Sequence, residues 1–507
     1  VISRPDWLTA FTASGAGSIS DSSFSAAVAA QTAVTSNSHN ETLWKAEPVS
    51  GTYDLSTKGG TTAMNTANCY IINAPGKYSL PLVYGNAVKN GSTNASAYTS
   101  QASGTYVLKT FVNHLDAPIT DPYIYNNADC TPNNAVLVWQ DEENLVTNVA
   151  LAPDGHSLTF DVGSATIKQG NAIVAVRDAS NRIMWSWHIW VTDFVPGLPP
   201  TVTPHYNPAE MQRDKVVTSN RGLKYTFMGV NIGWCDGGIT TYDARSVKVR
   251  FKQTKTGATQ IITISQDAGE TKECGNCSYF QFGRKDPMLG GILTTSWPPD
   301  PKSCYSDSGY AFDKSGTGKV SIGTAIQNPH VFYDRDPNRP WDWCSTSYYN
   351  CWSADNIETT AYDKEVVKTV YDPSPVGYHL PPPDAFTGFT YSGQTTRKSS
   401  EGDSYFGSQF NSPYTSSDDV GLNYGWTVYC NRMPGIGNYD TSGGVIFIPG
   451  TSMLHASYSG LGRFGFYWAA VGHSIDAGLS TTYSPNGFVL LYPSVRYYGF
   501  TVRPVRE

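Results

Sequence analysis

Cys274 and Cys277 stand at CxxC spacing in ECGNCSY, the pattern of a redox dithiol or of half a zinc site. A redox pair opens a helix in a βαβ context, and zinc needs a second ligand pair at matching spacing. Neither accompanies these two cysteines, which leaves a local disulfide or simple packing. With Cys69, Cys130, Cys235, Cys304, Cys344, Cys351 and Cys430 the thiols number nine, an odd count that cannot pair completely within one chain. Most are expected as buried thiols, with one or two bridges at most. Asp418 and Asp419 in SSDDVG offer the paired carboxylates of glycoside hydrolysis, but neighbours on a strand point to opposite faces; a solvated turn or a calcium ligand is the expected role. No GxSxG, HExxH or P-loop spacing occurs. The other residues with chemistry to offer crowd into the final stretch from Gly462: Phe464, Phe466, His473, Ile475, Asp476, Tyr492, Tyr497 and Tyr498. Aromatic, aliphatic and charged side chains mixed in turn-rich loops suit binding, because rings give contact area at low entropic cost. These eight are the candidate ligand-binding residues; the alternative is that half or more pack inward. No catalytic residue, metal site or cofactor is expected.

The elements that must position them are short β-type runs, GFYWAA, GFVLLY and YGFTVRPV, with the eight residues read as lying in the loops between. Phe500, Val502 and Val505 alternate with Thr501 and Arg503, which assigns one face of the last run to a core and makes it a buried strand. The whole chain of 507 residues is too long for one core and implies two to four domains. Its low charged fraction of 15% and its wealth of Tyr, Trp, Thr and Gly point to a β-dominated protein. A net charge of -7 excludes a phosphate-neutralising, nucleic-acid-binding surface. No apolar run approaches the roughly 20 residues that span a bilayer. Val1 opens no signal peptide, so that segment has been removed or the sequence starts inside a longer precursor.

Four pieces follow in order. Residues 1–40 read as two or three strands, too little for a stable domain alone. Residues 41–199 carry repeated strand signals, with PDG and DASN as hairpin turns. In IMWSWHIWVTD both sides of the strand are apolar, Trp185, Trp187, Ile189 and Val191 on one and Met184, His188 and Trp190 on the other. Such a strand lies centrally in a sandwich or at a domain interface, with its tryptophans in the core and His188 a satisfied interior histidine. A Pro-rich linker at 200–208 leads to 209–507, which contains long aromatic-stapled loops and a short helix over AYDKEVVKTVYD.

DPSPVGYHLPPPDAFTGF is similar to the DPCPxGWRxPTxxEW segment of the Fibrobacter succinogenes major paralogous family. GFYWAA and YGFTVRPVRE resemble that family's GYYWSS and GFSVRPVR segments, and MGVNIGWCDGG and CSYFQFGRKDP match earlier ones, so the resemblance runs from about Tyr225 to Glu507. The family is related to the formylglycine-generating-enzyme and C-type-lectin-like folds. Residues 41–199 resemble the domain that precedes this module in Bacteroidetes surface proteins and fimbrillin-like adhesins, and 1–40 resembles the second half of a BACON-type module. The fold implied is mainly β with some α+β, an immunoglobulin-like β-sandwich followed by a C-type-lectin-like domain. The function implied is that of a cell-surface adhesin, a pilus-tip subunit being one form, secreted or lipid-anchored at the bacterial outer surface. It would bind a host or bacterial surface protein or glycan, and pilus subunits are further partners. The alternatives are a glycan-binding protein of a polysaccharide-uptake system, a structural fimbrial subunit, and an enzyme of the generating type. That enzyme works through a reactive cysteine pair near its C-terminus, whereas this chain has only Cys430 in its last 150 residues. Ser374 stands where the family has the cysteine of DPCP, and the sugar-binding EPN and QPD tripeptides of calcium-dependent lectins are absent.

Overall fold

The structure, a computed structural model, describes residues 5–6, 8–14, 23–28, 34–199, 212–252, 255–292, 300–306, 309–335, 341–357, 365–389, 418–420, 423–431, 440–455, 458–459, 464–474, 477–484 and 487–507. It is mainly β. The chain forms two compact units, one from Val1–Asn37 with Gly237–Glu273, the other from Ser38–Asp236 with Cys274–Glu507. These units do not follow the consecutive order 1–40, 41–199 and 209–507 read from the sequence, and the linker at 200–208 lies outside the described residues.

In the smaller unit the Leu8–Ser14 and Ser23–Val28 strands pair antiparallel. The Val34–Ser36 strand joins Gly238–Tyr242 and Gly269–Glu273, so residues some 200 positions apart share a sheet, with Thr35 and Thr240 hydroxyls bonded at 2.9 Å. The Arg245–Lys252 and Thr259–Gln266 strands form a separate hairpin.

In the larger unit two four-stranded sheets share one core. One holds the Thr147–Leu151, Ser157–Val162, Gly76–Pro81 and Thr52–Asp54 strands, the other Cys69–Ile72, Ile183–Val191, Gly170–Arg177 and Asn134–Gln140. Both expected turns form hairpins. Around PDG, Ala152 and Ser157 are hydrogen-bonded and Gly155 takes a φ of 71°; around DASN, the Asp178 carboxylate accepts from the Ser180 and Arg182 amides and Asn181 has a φ of 60°. Every residue of Ile183–Val191 is buried. Leu137, Val174, Val176, Trp185 and Trp187 face the main core; Val136, Val138, Ile173 and Ala175 face a second cluster completed by Leu289, from the later part of the chain. A strand covered on both sides has no polar face to give to water, which is why its sequence shows no apolar-polar alternation.

The later part folds around its final strands. Val505–Arg506 lies between Lys224–Phe227 and Tyr378–His379, and Gly499–Phe500 between Phe280–Gln281 and Met453–Leu454. Phe500 and Val502 are buried as the alternation requires and Val505 is buried as expected, but so are Thr501 and Arg503. The Arg503 guanidinium donates to the carbonyls of Met228 and Gly229 and to Asn231 Oδ1, and that matched set of acceptors lets a charge sit inside. The short runs before it are longer strands than their apolar stretches suggest, forming a meander of Gly465–Ser474, Ala477–Ser484 and Gly487–Val495.

One local expectation fails. Over AYDKEVVKTVYD no helix forms among the described residues from 365 onward; Lys368 is buried and donates to the carbonyls of Ser374, Pro375 and Tyr378, so tertiary bonds displace a helical ladder already weakened by three valines. Of the two expected roles of the CxxC pair, packing is the one that stands: no disulfide joins Cys274 to Cys277, and none joins the other seven cysteines.

Candidate functional site

Phe464 directly precedes the Gly465–Ser474 strand, and Phe466 is that strand's second residue. The Phe464 carbonyl accepts from the Ser452 amide at 2.8 Å, and the Phe466 carbonyl accepts from the Thr501 amide at 3.0 Å, which sets the Phe466 ring beside Phe500. The Phe464 and Phe466 ring centroids are 6.3 Å apart, Phe466 stacks on Phe500 at 4.9 Å, and Tyr498 lies 5.9 Å from Phe500. Tyr498 continues the row by meeting Tyr497 edge-on at 4.8 Å and His455 at 5.0 Å. Beyond the row lies a carboxylate: His455 Nε2 is 3.7 Å from an Asp334 carboxylate oxygen. Phe464, Phe466, Tyr498 and His455 are each half-buried, so one side of the row is open to solvent.

Beneath it the aromatic packing continues without a break. Phe500 stacks on Trp468 at 4.3 Å, and Trp468 meets Phe282 edge-on at 5.5 Å; all three are fully buried. Trp468 donates from Nε1 to the Phe280 carbonyl at 2.8 Å. Gly478 lets the meander close onto this base, since a Cβ there would stand 2.4 Å from a Phe282 ring carbon. A strip so supported is held in place before any ligand arrives.

The turn that carries Tyr497 and Tyr498 is fixed from below. Gln281 donates to the carbonyls of Tyr497 at 2.6 Å and Tyr333 at 2.7 Å, and the Arg496 amide donates to the Trp341 carbonyl at 2.8 Å. The Arg496 guanidinium is buried 3.2 Å from Asp342 and 4.6 Å over the Phe282 ring. Burial holds the Asp342 carboxyl above its ordinary range although Arg496 pulls it down.

Four of the eight residues singled out in the sequence therefore come together, and they differ in access. Tyr497 is only 4% exposed and belongs to the core, a correction to its reading as a binding residue; burial pushes its hydroxyl well above the ordinary tyrosine value. His473 and Tyr492 are strand residues, in Gly465–Ser474 and Gly487–Val495, rather than loop residues. Ile475 and Asp476 lie outside the described residues. His455 and Asp334 went unnoticed because they stand 43 and 164 positions before Tyr498 and carry no motif. Burial holds the His455 imidazole below its ordinary value, with Asp334 opposing and Arg335 assisting, so the row ends in a neutral ring near neutral pH.

Three of the buried thiols offer little chemistry. Burial pushes Cys277 and Cys430 up to about 12 and Cys351 to about 11, so all three are protonated and poor nucleophiles at neutral pH. Among the described residues no group of three His, Cys, Asp or Glu side chains is placed to hold a metal ion, and no helix is long and apolar enough to cross a membrane. No family model, curated protein or solved structure matches the chain.

Proposed function

We propose that the protein is a bacterial cell-surface adhesin that binds a protein or glycan partner on the row Phe464–Phe466–Tyr498–His455, in a C-type-lectin-like region that follows an immunoglobulin-like sandwich. The observation that carries this reading is the row itself: four half-buried rings, open on one side, seated on fully buried Phe500 and Trp468. Rigid rings of this kind bury area at little entropic cost, and the Asp334 carboxylate beside His455 supplies a polar anchor. The segmental resemblance of residues 225–507 to lectin-like surface modules supports the same assignment, as does the protonated state of the buried thiols against an oxidase of the generating type. Secretion or lipid anchoring at the outer surface belongs to the same proposal.

The test is a binding screen of the full chain against a glycan array and a panel of extracellular host proteins, beside a Phe464→Ala, Phe466→Ala, Tyr498→Ala triple variant. Binding by the parent and a loss of at least about tenfold in the folded variant is expected, because each anchor ring contributes about 1 kcal/mol or more. Binding that survives the triple substitution overturns the assignment. Competition by soluble glycans would move the protein to the polysaccharide-uptake class, and binding to proteins alone supports adhesion.

A further inference from the structure

Asp141, directly after the Asn134–Gln140 strand, meets a lysine from the later part of the chain inside the larger unit. Lys302 Nζ lies 3.0 Å from Asp141 Oδ2 and 3.3 Å from Glu142 Oε1. The Lys302 and Asp141 side chains are only 6% and 1% exposed, whereas Glu142 is 27% exposed. Backbone bonds hold both partners in register. Tyr305 and Gln140 each donate an amide to the other's carbonyl at 2.9 Å, the Lys302 amide donates to the Gly290 carbonyl at 2.9 Å, and the Asp141 amide donates to the Asn171 carbonyl at 2.9 Å.

The Asp141 carboxyl is polarised from the side away from the amine. The Asn171 backbone N–H donates to Oδ1 at 2.6 Å, and Asn171 Nδ2 donates to Oδ2 at 3.0 Å. Asn171 is itself fixed, donating to the Gly233 carbonyl and accepting from His188. Gly170 permits this close approach, since a Cβ there would stand 2.8 Å from Asp141 Oδ1. A backbone N–H aimed at a carboxyl oxygen stabilises the negative charge that oxygen gains when a nucleophile adds to its carbon. The Lys302 nitrogen thus sits one bond from the Cγ that it would attack, with a second carboxylate in contact and bulk water excluded.

We propose that Lys302 and Asp141 condense into an intramolecular isopeptide bond, with Glu142 carrying the protons. The Nζ–Cγ bond forms and the Cγ–Oδ2 bond breaks. Of the three ammonium protons, two pass by way of the Glu142 carboxylate to Oδ2, which leaves as water past the more open Glu142 side, and the third stays on the amide nitrogen. No oxidant or other reagent is consumed. Burial disfavours the Lys302 ammonium, but Asp141, Cys235 and Glu142 hold its proton more firmly than an ordinary lysine does, so the transfer to Glu142 is the slow event. The product replaces a buried ammonium and carboxylate, each costly to keep from water, with a neutral amide. It ties the early sheets to the later segments covalently and is independent of the aromatic row.

Intact-mass measurement of the denatured full chain, followed by a peptide map, tests this. The expected mass is that of the sequence less one water, and the map should contain a branched peptide joining Asp141 to Lys302, with no tryptic cleavage after Lys302. Lys302→Arg, which keeps the charge but cannot condense, should run at its full sequence mass. Glu142→Gln should leave most of the freshly made chain at its full mass, because proton transfer by a positioned carboxylate is worth about a hundredfold or more in rate. A parent chain at its full sequence mass overturns the proposal. So does a missing water that the map places elsewhere, such as a succinimide at Asp154–Gly155, or one that persists in Lys302→Arg. Complete loss of water in Glu142→Gln overturns the part given to Glu142.

Discussion

His188 is fully buried in the Ile183–Val191 strand, where its Nε2–H donates to Asn171 Oδ1 at 2.9 Å. The direction follows from Asn171, whose amide nitrogen is occupied in donating to Asp141 and to the Gly233 carbonyl. With no carboxylate beside it, burial drives the imidazole down to about 3. The unfolded chain then takes up a proton near 6.5 that the folded chain refuses, so stability falls as the pH drops from about 6.5 toward 3, by up to about 1.4 kcal/mol per pH unit. Denaturant titrations across this range should show a shallower dependence for His188→Gln. His39 works in the opposite sense. Burial alone would lower it, but its bond to Asp193 at 2.9 Å and the charge of Asp236 at 3.5 Å prevail and leave it raised above 6.5. Its contribution is complete below pH 6.5 and is lost as the pH rises through the higher folded value. Thermal unfolding midpoints of the wild type should therefore decline on the alkaline side of pH 6.5, and His39→Asn should remove that decline.

At the scale of elements, segments without regular structure are pinned by single side chains that replace the missing ladder. Asn350 is the clearest: it accepts from the Leu108 amide at 2.9 Å and donates to the Leu108 carbonyl at 2.9 Å and the Ala354 carbonyl at 2.8 Å, copying a β-bridge with one amide group. Lys368 does the same for 372–378 with its three carbonyl acceptors, and Asp372 lies 3.9 Å from it. Lys368→Met would leave those carbonyls and the buried Asp372 without their cation, at a cost of about 3–5 kcal/mol. Equilibrium urea unfolding measures it; a loss under about 1 kcal/mol would show that water replaces the ammonium. Trp343 and Trp352 hold the aromatic loops in a similar manner, donating to the carbonyls of Phe282 at 2.8 Å and Tyr371 at 3.1 Å.

In the whole molecule, burial rather than pairing governs the nine cysteines. Cys304 is exposed and Cys274 half-buried, and the other seven lie inside. Titration of the native protein with a thiol reagent should therefore label Cys304 first and Cys274 more slowly, the remaining seven reacting only as fast as the protein unfolds. Rapid labelling of all nine would contradict this packing. The larger unit also joins distant parts of the chain by buried polar contacts: Asn68 donates to the carbonyls of Val370 and Asp372 and accepts from Trp185 Nε1, and Ser186 donates to Asp286 at 2.6 Å. Such bonds cross from the early sheets to the later segments. Removal of residues after 212 would strip cover from Ile173, Ala175 and Ser186, and the early segment expressed alone should bind a hydrophobic dye or aggregate.

The β class, the hairpins at PDG and DASN, the buried Trp185–Trp187 face and the crowding of aromatics after Gly462 were legible in the sequence, because alternation and turn chemistry act over a few residues. Exposure was not legible. Tyr497 and Tyr498 are neighbours of one type, yet only Tyr498 is half-open, since Gln281 and the turn geometry draw Tyr497 inward. The helix read over AYDKEVVKTVYD gave way to Lys368's distant acceptors, Arg503 left its solvent face for carbonyls more than 270 positions away, and His455 and Asp334 joined the row without any local signal. Local pattern determines what a segment prefers; which face meets water depends on what the rest of the chain lays against it, and that is settled only when distant segments pack together.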